Sequence, residues 1–144
     1  MKFLALLKAC LVSSNCLAQV LEVDTILRND DEEKFINFVV LGDGYTADQE
    51  DEFSADARDF TEYLIAQEPY QNYRNFFNVF GIKVASNESG ADHPGDATDV
   101  NEPAFDIIGV DNYFGSTFDG FGSHRLLIVK NTFAVFEVLA NNFP

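Results

Sequence analysis

Seven consecutive residues, Phe35-Ile36-Asn37-Phe38-Val39-Val40-Leu41, contain one polar side chain and run straight into Gly42-Asp43-Gly44-Tyr45-Thr46. An apolar run of this length, closed by a glycine turn, predicts a β-strand buried on both faces, because a strand with one wet face alternates polar and apolar residues. Gly42 and Gly44, with Asp43 between them, let the backbone reverse within a few residues and form a structural turn. Thr46 is placed to cap a helix, and Gln49 three residues later completes a capping box. Strand, tight turn and capped helix in succession predict the first half of a βαβ unit, and hence an α/β fold.

The helix after Thr46 is expected to run to about Gln67. Phe53, Ala57, Phe60 and Leu64 recur at spacings of four, three and four and predict its apolar stripe, with Asp51, Glu52, Asp56, Arg58, Asp59 and Glu62 largely on the other side. Asp48, Glu50 and Asp51 sit where the helix dipole favours negative charge. Pro69 ends the helix, and Tyr70, Tyr73 and Phe76 are expected to pack under it. Phe77 to Val84 reads as a second strand joined by a right-handed crossover. Residues 86–123 show no sustained period and are dense in Gly, Asp, Asn and Pro. A connection that long inside a small domain usually has a function or belongs to a larger cleft. Leu126 to Val129 predicts a short buried third strand, so the sheet is expected to be small and mainly parallel. Asn131 or Thr132 can cap the second main helix, which carries Phe133, Val135, Phe136, Val138, Leu139 and Ala140. Apolar nearly all round, that helix needs cover on more than one side, and the four residues Asn141 to Pro144 that follow cannot provide it.

Residues 1–18 read as a signal peptide. Met1-Lys2 supplies the positive start, Phe3 to Val12 the apolar stretch interrupted by Lys8, and Cys16-Leu17-Ala18 a small-x-small cleavage site. The segment is too short and too polar at its end to span a membrane. Its removal would take away Cys10 and Cys16, the only cysteines, and with them any disulfide or thiolate chemistry. Residues 19–34 form a lead-in, with Val20 to Leu27 as an edge strand and Arg28 to Glu33 as a polar turn; residues 35–144 form the α/β domain. With 144 residues the chain holds one domain at most. Twenty-four acidic residues against nine basic ones give a net charge of −15. That balance makes nucleic acid and anionic membranes poor partners and suits solubility outside the cell.

Several motifs can be weighed by their chemistry. Gly42-x-Gly44-x-x-Ala47 loosely matches a dinucleotide fingerprint, but Asp48, Glu50, Asp51 and Glu52 would repel a pyrophosphate at that helix start. An EF-hand counted from Asp43 has Asp48 where glycine is needed and Ser54 where glutamate is needed. His93 and His124 are thirty-one residues apart, without the four-residue spacing that places two ligands on one helix face. The densest polar cluster, Ser86 to Asp96, offers Glu88, Asp92 and Asp96 as candidate oxygen ligands for a hard cation such as calcium. The same residues also suit a turn-rich loop whose Asp and Asn side chains bond their own backbone.

Taken together, three stretches resemble the immunoglobulin A peptidase family of secreted zinc metallopeptidases. They are Asn37 to Thr46, Ser86-Asn87-Glu88-Ser89-Gly90-Ala91-Asp92-His93-Pro94-Gly95-Asp96, and Phe114-Gly115-Ser116-Thr117-Phe118 leading to Arg125-Leu126-Leu127. Glu68-Pro69-Tyr70 and Tyr73-Arg74-Asn75-x-Phe77-Asn78-Val79 fall between them in the matching order, so the resemblance covers about Ile36 to Leu139. It implies a zincin-like catalytic domain acting on a protein or peptide substrate. The implied zinc site is a His-Glu-x-x-His helix with a third acidic ligand, its glutamate serving as general base toward zinc-bound water. No such motif occurs here, so no catalytic or zinc-binding residue carries over; zinc is expected of a full-length relative and no cofactor of this chain. The expectation is therefore the truncated front half of a metallopeptidase domain, scaffold and cleft wall without the chemistry. The alternative is a non-catalytic acidic secreted binding module, possibly loaded with calcium.

Overall fold

Strand β3 (Phe77–Ile82) is the centre of the molecule: β1 (Val23–Leu27) pairs with it antiparallel on one side and β2 (Ile36–Leu41) parallel on the other. The computed structural model describes residues 20–101 and 106–143, so the expected signal peptide lies outside the described residues. Because both of its edges are paired, every residue of β3 is buried. β2 is an edge strand of this sheet and is only half-buried, and Ile36 at its start is 57% exposed. The expectation of a β2 buried on both faces is thus corrected. Apolar continuity marks strand character, whereas the depth of burial follows from strand order, which periodicity does not encode. The sheet is also mixed rather than mainly parallel, since the edge strand expected within Val20 to Leu27 enters antiparallel, with a register break between Thr25 and Leu27.

Asn37, the polar interruption of the β2 run, lies in register with Asn78 of β3. Asn78 is fully buried and spends its amide on Asn37 Oδ1 at 3.0 Å and the Asp30 carbonyl at 3.1 Å, while its own oxygen accepts the Asn29 N–H at 2.9 Å. A buried amide with all these partners avoids the desolvation penalty and ties the polar turn after β1 to the sheet.

Two helices cover the two faces. α1 (Glu50–Ile65) follows a single 3₁₀ turn, Ala47–Gln49, entered through the Thr46–Gln49 capping box, in which the Thr46 N–H donates to Gln49 Oε1 at 3.1 Å. Its buried residues are Phe53, Ala57, Thr61 and Ile65; Phe60 is 52% exposed and Leu64 half-buried, correcting the expected stripe. A row with uniform spacing of four is inclined to the helix axis, so the seam runs obliquely. Thr61 can occupy that seam because its hydroxyl donates to the Ala57 carbonyl at 2.7 Å. α2 (Thr132–Asn142) starts at Asn131, whose side chain accepts the Ala134 N–H at 3.2 Å. Its Ala134 and Val138 join Ile82, Val84 and Phe114 in one core, with Val39, Leu41 and Phe143 packed against it. The outer side of α2 is uncovered among the described residues: Phe133 is 83% and Phe136 68% exposed.

Two further expectations change. Tyr73 and Phe76 do not pack under α1. They lie exposed in a 3₁₀ segment, Tyr70–Phe76, where Phe76 stacks on Phe35 at a ring distance of 6.4 Å beside the start of β2. The expected buried strand at Leu126 to Val129 shrinks to β5 (Ile128–Val129), which pairs antiparallel with β4 (Ser116–Thr117) in a separate two-stranded sheet. Leu126, Leu127 and Val129 remain exposed, while Ser116 and Thr117 of β4 are the buried side of this small sheet.

Candidate functional site

The C-terminal end of β2 is where the molecule is most densely cross-tied. In α/β proteins this end of parallel strands is the usual place for a binding crevice. Asp43 leaves β2 on the glycine turn and points its carboxylate at the long 86–123 segment. Oδ1 accepts the Phe114 N–H at 3.0 Å and the Ser86 hydroxyl at 3.4 Å, and Oδ2 accepts the Ser116 N–H at 3.2 Å. The Ser86 hydroxyl in turn accepts the N–H groups of Gly44 and Tyr113 at 3.0 and 3.1 Å. Buried Asn112 donates to the carbonyls of Gly90 and Ser116, both at 3.1 Å, and accepts the Ser116 N–H at 2.9 Å. Gly44 has φ +72° and its carbonyl accepts the Gly90 N–H at 2.8 Å; a side chain at Gly44 would collide with the Gly90 carbonyl. The turn read from Gly42, Asp43 and Gly44 is therefore both a reversal and a docking point.

Beside this knot lies a cleft of about 670 Å³ floored by Val39, Leu41, Phe114 and Leu127 and rimmed by Tyr45 and Glu52. The Tyr45 hydroxyl donates to Asp56 Oδ2 at 2.8 Å. Burial, and then that hydrogen bond and the Asp56 charge, push the phenol up to about 12, so Tyr45 is a neutral donor in the physiological range.

The candidate cation ligands are placed as follows. Glu88 accepts the Asp111 N–H at 2.9 Å. Asp92 Oδ1 accepts the N–H groups of Gly109 and Val110 at 2.9 Å each, and its Oδ2 meets Lys130 Nζ at 3.1 Å. The Val110 N–H, followed by Lys130 and the Gly109 N–H, holds the Asp92 carboxyl below the usual carboxylate range. Asp96 is exposed. Among the described residues, no three His, Cys, Asp or Glu side chains converge where they could hold a metal ion.

Each histidine faces an aspartate of the long 86–123 segment. His93 Nε2 lies 3.4 Å from Oδ1 of Asp119, whose side chain has no exposed area and whose Oδ2 accepts the Gly95 N–H at 2.8 Å. His124 Nδ1 lies 3.2 Å from both oxygens of Asp99. The His124 N–H, with the Ser123 hydroxyl and the His124 ring behind it, draws the Asp99 carboxyl down to about 2. Reading along the chain missed Asp43, Asp99 and Asp119 in these roles. An acceptor for backbone N–H groups tens of residues away leaves no local pattern; only the positive φ at Asp119, which Asp tolerates better than most residues, has any sequence correlate.

A family model for the IgA peptidase M64 family matches residues 25–140. The chain belongs to that family. A search of curated proteins finds no match to it. For a member of the IgA peptidase M64 family, the matched span runs from within β1 to within α2 and contains every tie made by Asp43. Zinc is the metal suggested for full-length members, and the side chains described here do not fit it: the two imidazoles are turned to different carboxylates, and no third ligand joins either pair. No helix among the described residues is long and apolar enough to cross a membrane.

Proposed function

We propose that this chain is a portion of a secreted zinc metallopeptidase of the IgA peptidase M64 family. In this reading it supplies the scaffold and one wall of the substrate cleft of a zincin-like domain and is inactive alone. The observation that carries the reading is the Asp43 knot, which clamps an irregular segment of some thirty residues to the carboxyl end of β2 and shapes one side of an open apolar cleft. In a full-length relative, zinc held by a His-Glu-x-x-His helix would supply Lewis-acid activation of water. The residues of this chain bind and orient: Val39, Leu41 and Leu127 offer apolar surface for a peptide side chain, and the Tyr45 oxygen, its proton given to Asp56, offers an acceptor for a peptide N–H.

The test is direct. Purified chain incubated with a quenched peptide library should show no proteolysis sensitive to a chelator, and metal analysis should find no stoichiometric zinc. Either signal overturns the reading. The competing idea of a calcium-loaded module meets carboxylates already engaged, with Asp92 held by two N–H groups and Lys130. Calorimetry with calcium should be silent.

A further inference from the structure

Cations are scarce in a chain of net charge −15, and nearly all of those described are spoken for. Arg28 pairs with Glu32, Lys34 with Asp31, Lys83 with Glu22 and Lys130 with Asp92, while the Arg125 Nε–H donates to His124. Arg58 and Arg74 are the two arginines whose guanidinium groups have no partner among the described residues, and both residues line one cavity of about 470 Å³. Arg58 comes from the middle of α1 and Arg74 from the 3₁₀ segment after it, and the Arg74 carbonyl is pinned by the Asn29 side-chain amide at 2.9 Å. Two unpaired arginines on the wall of a single hollow, in a chain whose carboxylates outnumber its basic residues by more than two to one, form an anion-binding arrangement.

We propose that this cavity binds a carboxylate with an aliphatic body, the chemistry of a peptide C-terminus. The head group follows from charge: Glu62 also lines the cavity, so two positive groups and one negative leave room for a singly charged anion rather than a phosphate dianion. A planar carboxylate also matches the fork of guanidinium donors. The body follows from the walls. Ile26 of β1 and Ile65 of α1 face the same space, and Gln71 brings an amide able to bond a peptide group. The volume is that of an ordinary small-ligand site. The inference does not rest on the peptidase reading, since the cavity lies between α1, β1 and the 3₁₀ segment rather than at the cleft beside Asp43.

Amide NMR titration of the full chain with N-acetyl-leucine tests it. Saturable shifts at Ile26, Ile65 and Gln71, absent with N-acetyl-leucinamide, are expected. Arg58→Gln combined with Arg74→Gln should abolish them, and Arg58→Lys with Arg74→Lys should weaken binding at least about tenfold by losing the bidentate contacts. Both arginines are exposed, so an unchanged circular dichroism spectrum will certify the variants as folded. A third ligand, 4-methylpentanoate, separates sources: weaker binding identifies a peptide end, and equal binding a simple organic acid. No saturable shift with N-acetyl-leucine at millimolar concentration, equal binding of the amide, or retention of binding by the glutamine variant overturns the proposal.

Discussion

The carboxylate of Asp43 accepts the backbone N–H of Phe114 at 3.0 Å across seventy-one residues of chain. One side chain in the connection after β2 thereby fixes where a distant segment begins to enter the core, since Phe114 itself is buried beside Ile82 and Val138. Asp43→Ala leaves the N–H groups of Phe114 and Ser116 without that acceptor. Ser116 keeps Asn112 Oδ1 at 2.9 Å, so the cost in urea unfolding should be about 1–3 kcal/mol, the penalty for stranding the Phe114 N–H at a buried site. Amide exchange at both positions should accelerate; unchanged protection would show that Asp43 holds nothing.

Gly44 and Gly109 separate two causes of glycine dependence. Both have positive φ, but a Cβ at Gly109 meets open space, whereas one at Gly44 meets the Gly90 carbonyl. Gly109→Ala should therefore cost only the backbone strain, about 1 kcal/mol, and Gly44→Ala distinctly more. Equal losses in thermal unfolding would remove the close approach from the account.

Acid should release the 99–124 link only as the pH falls toward 2. The folded Asp99 carboxyl lies at about 2, below the unfolded value of about 3.9. A depressed folded value stabilises the fold above the unfolded one and loses that contribution as pH falls toward 2. In Asp99→Asn, stability should fall less steeply than in the parent chain between about pH 4 and pH 2. Parallel curves would refute the assignment, as would a carboxyl ¹³C titration midpoint near the unfolded value.

The two sides of α2 should respond in opposite ways. Phe133→Ser with Phe136→Ser alters only exposed rings, so stability should stay within about 0.5 kcal/mol while binding of a hydrophobic dye drops. Val138→Ala, in the core, should cost about 2 kcal/mol. A large loss from the paired serine variant would mean that the outer face is covered after all.

Local chemistry was enough to foresee the order of β2, turn and α1, the Thr46–Gln49 box and a cap at Asn131 or Thr132, of which Asn131 is the one used, because each depends on residues within about four positions. Family membership was legible for a related reason, since strings around the Gly42–Gly44 turn and the Ser86–Asp96 segment survive as contiguous words. Tertiary structure alone decided that β3 rather than β2 would be the buried strand and that Thr61 rather than Phe60 would enter the α1 seam. It alone matched Asp43 to the amides of Phe114 and Ser116, and brought Arg58 and Arg74 to one cavity. Those outcomes depend on which elements become neighbours, and the pairing of distant elements is set by the summed burial of whole faces, a quantity that no short stretch of residues carries.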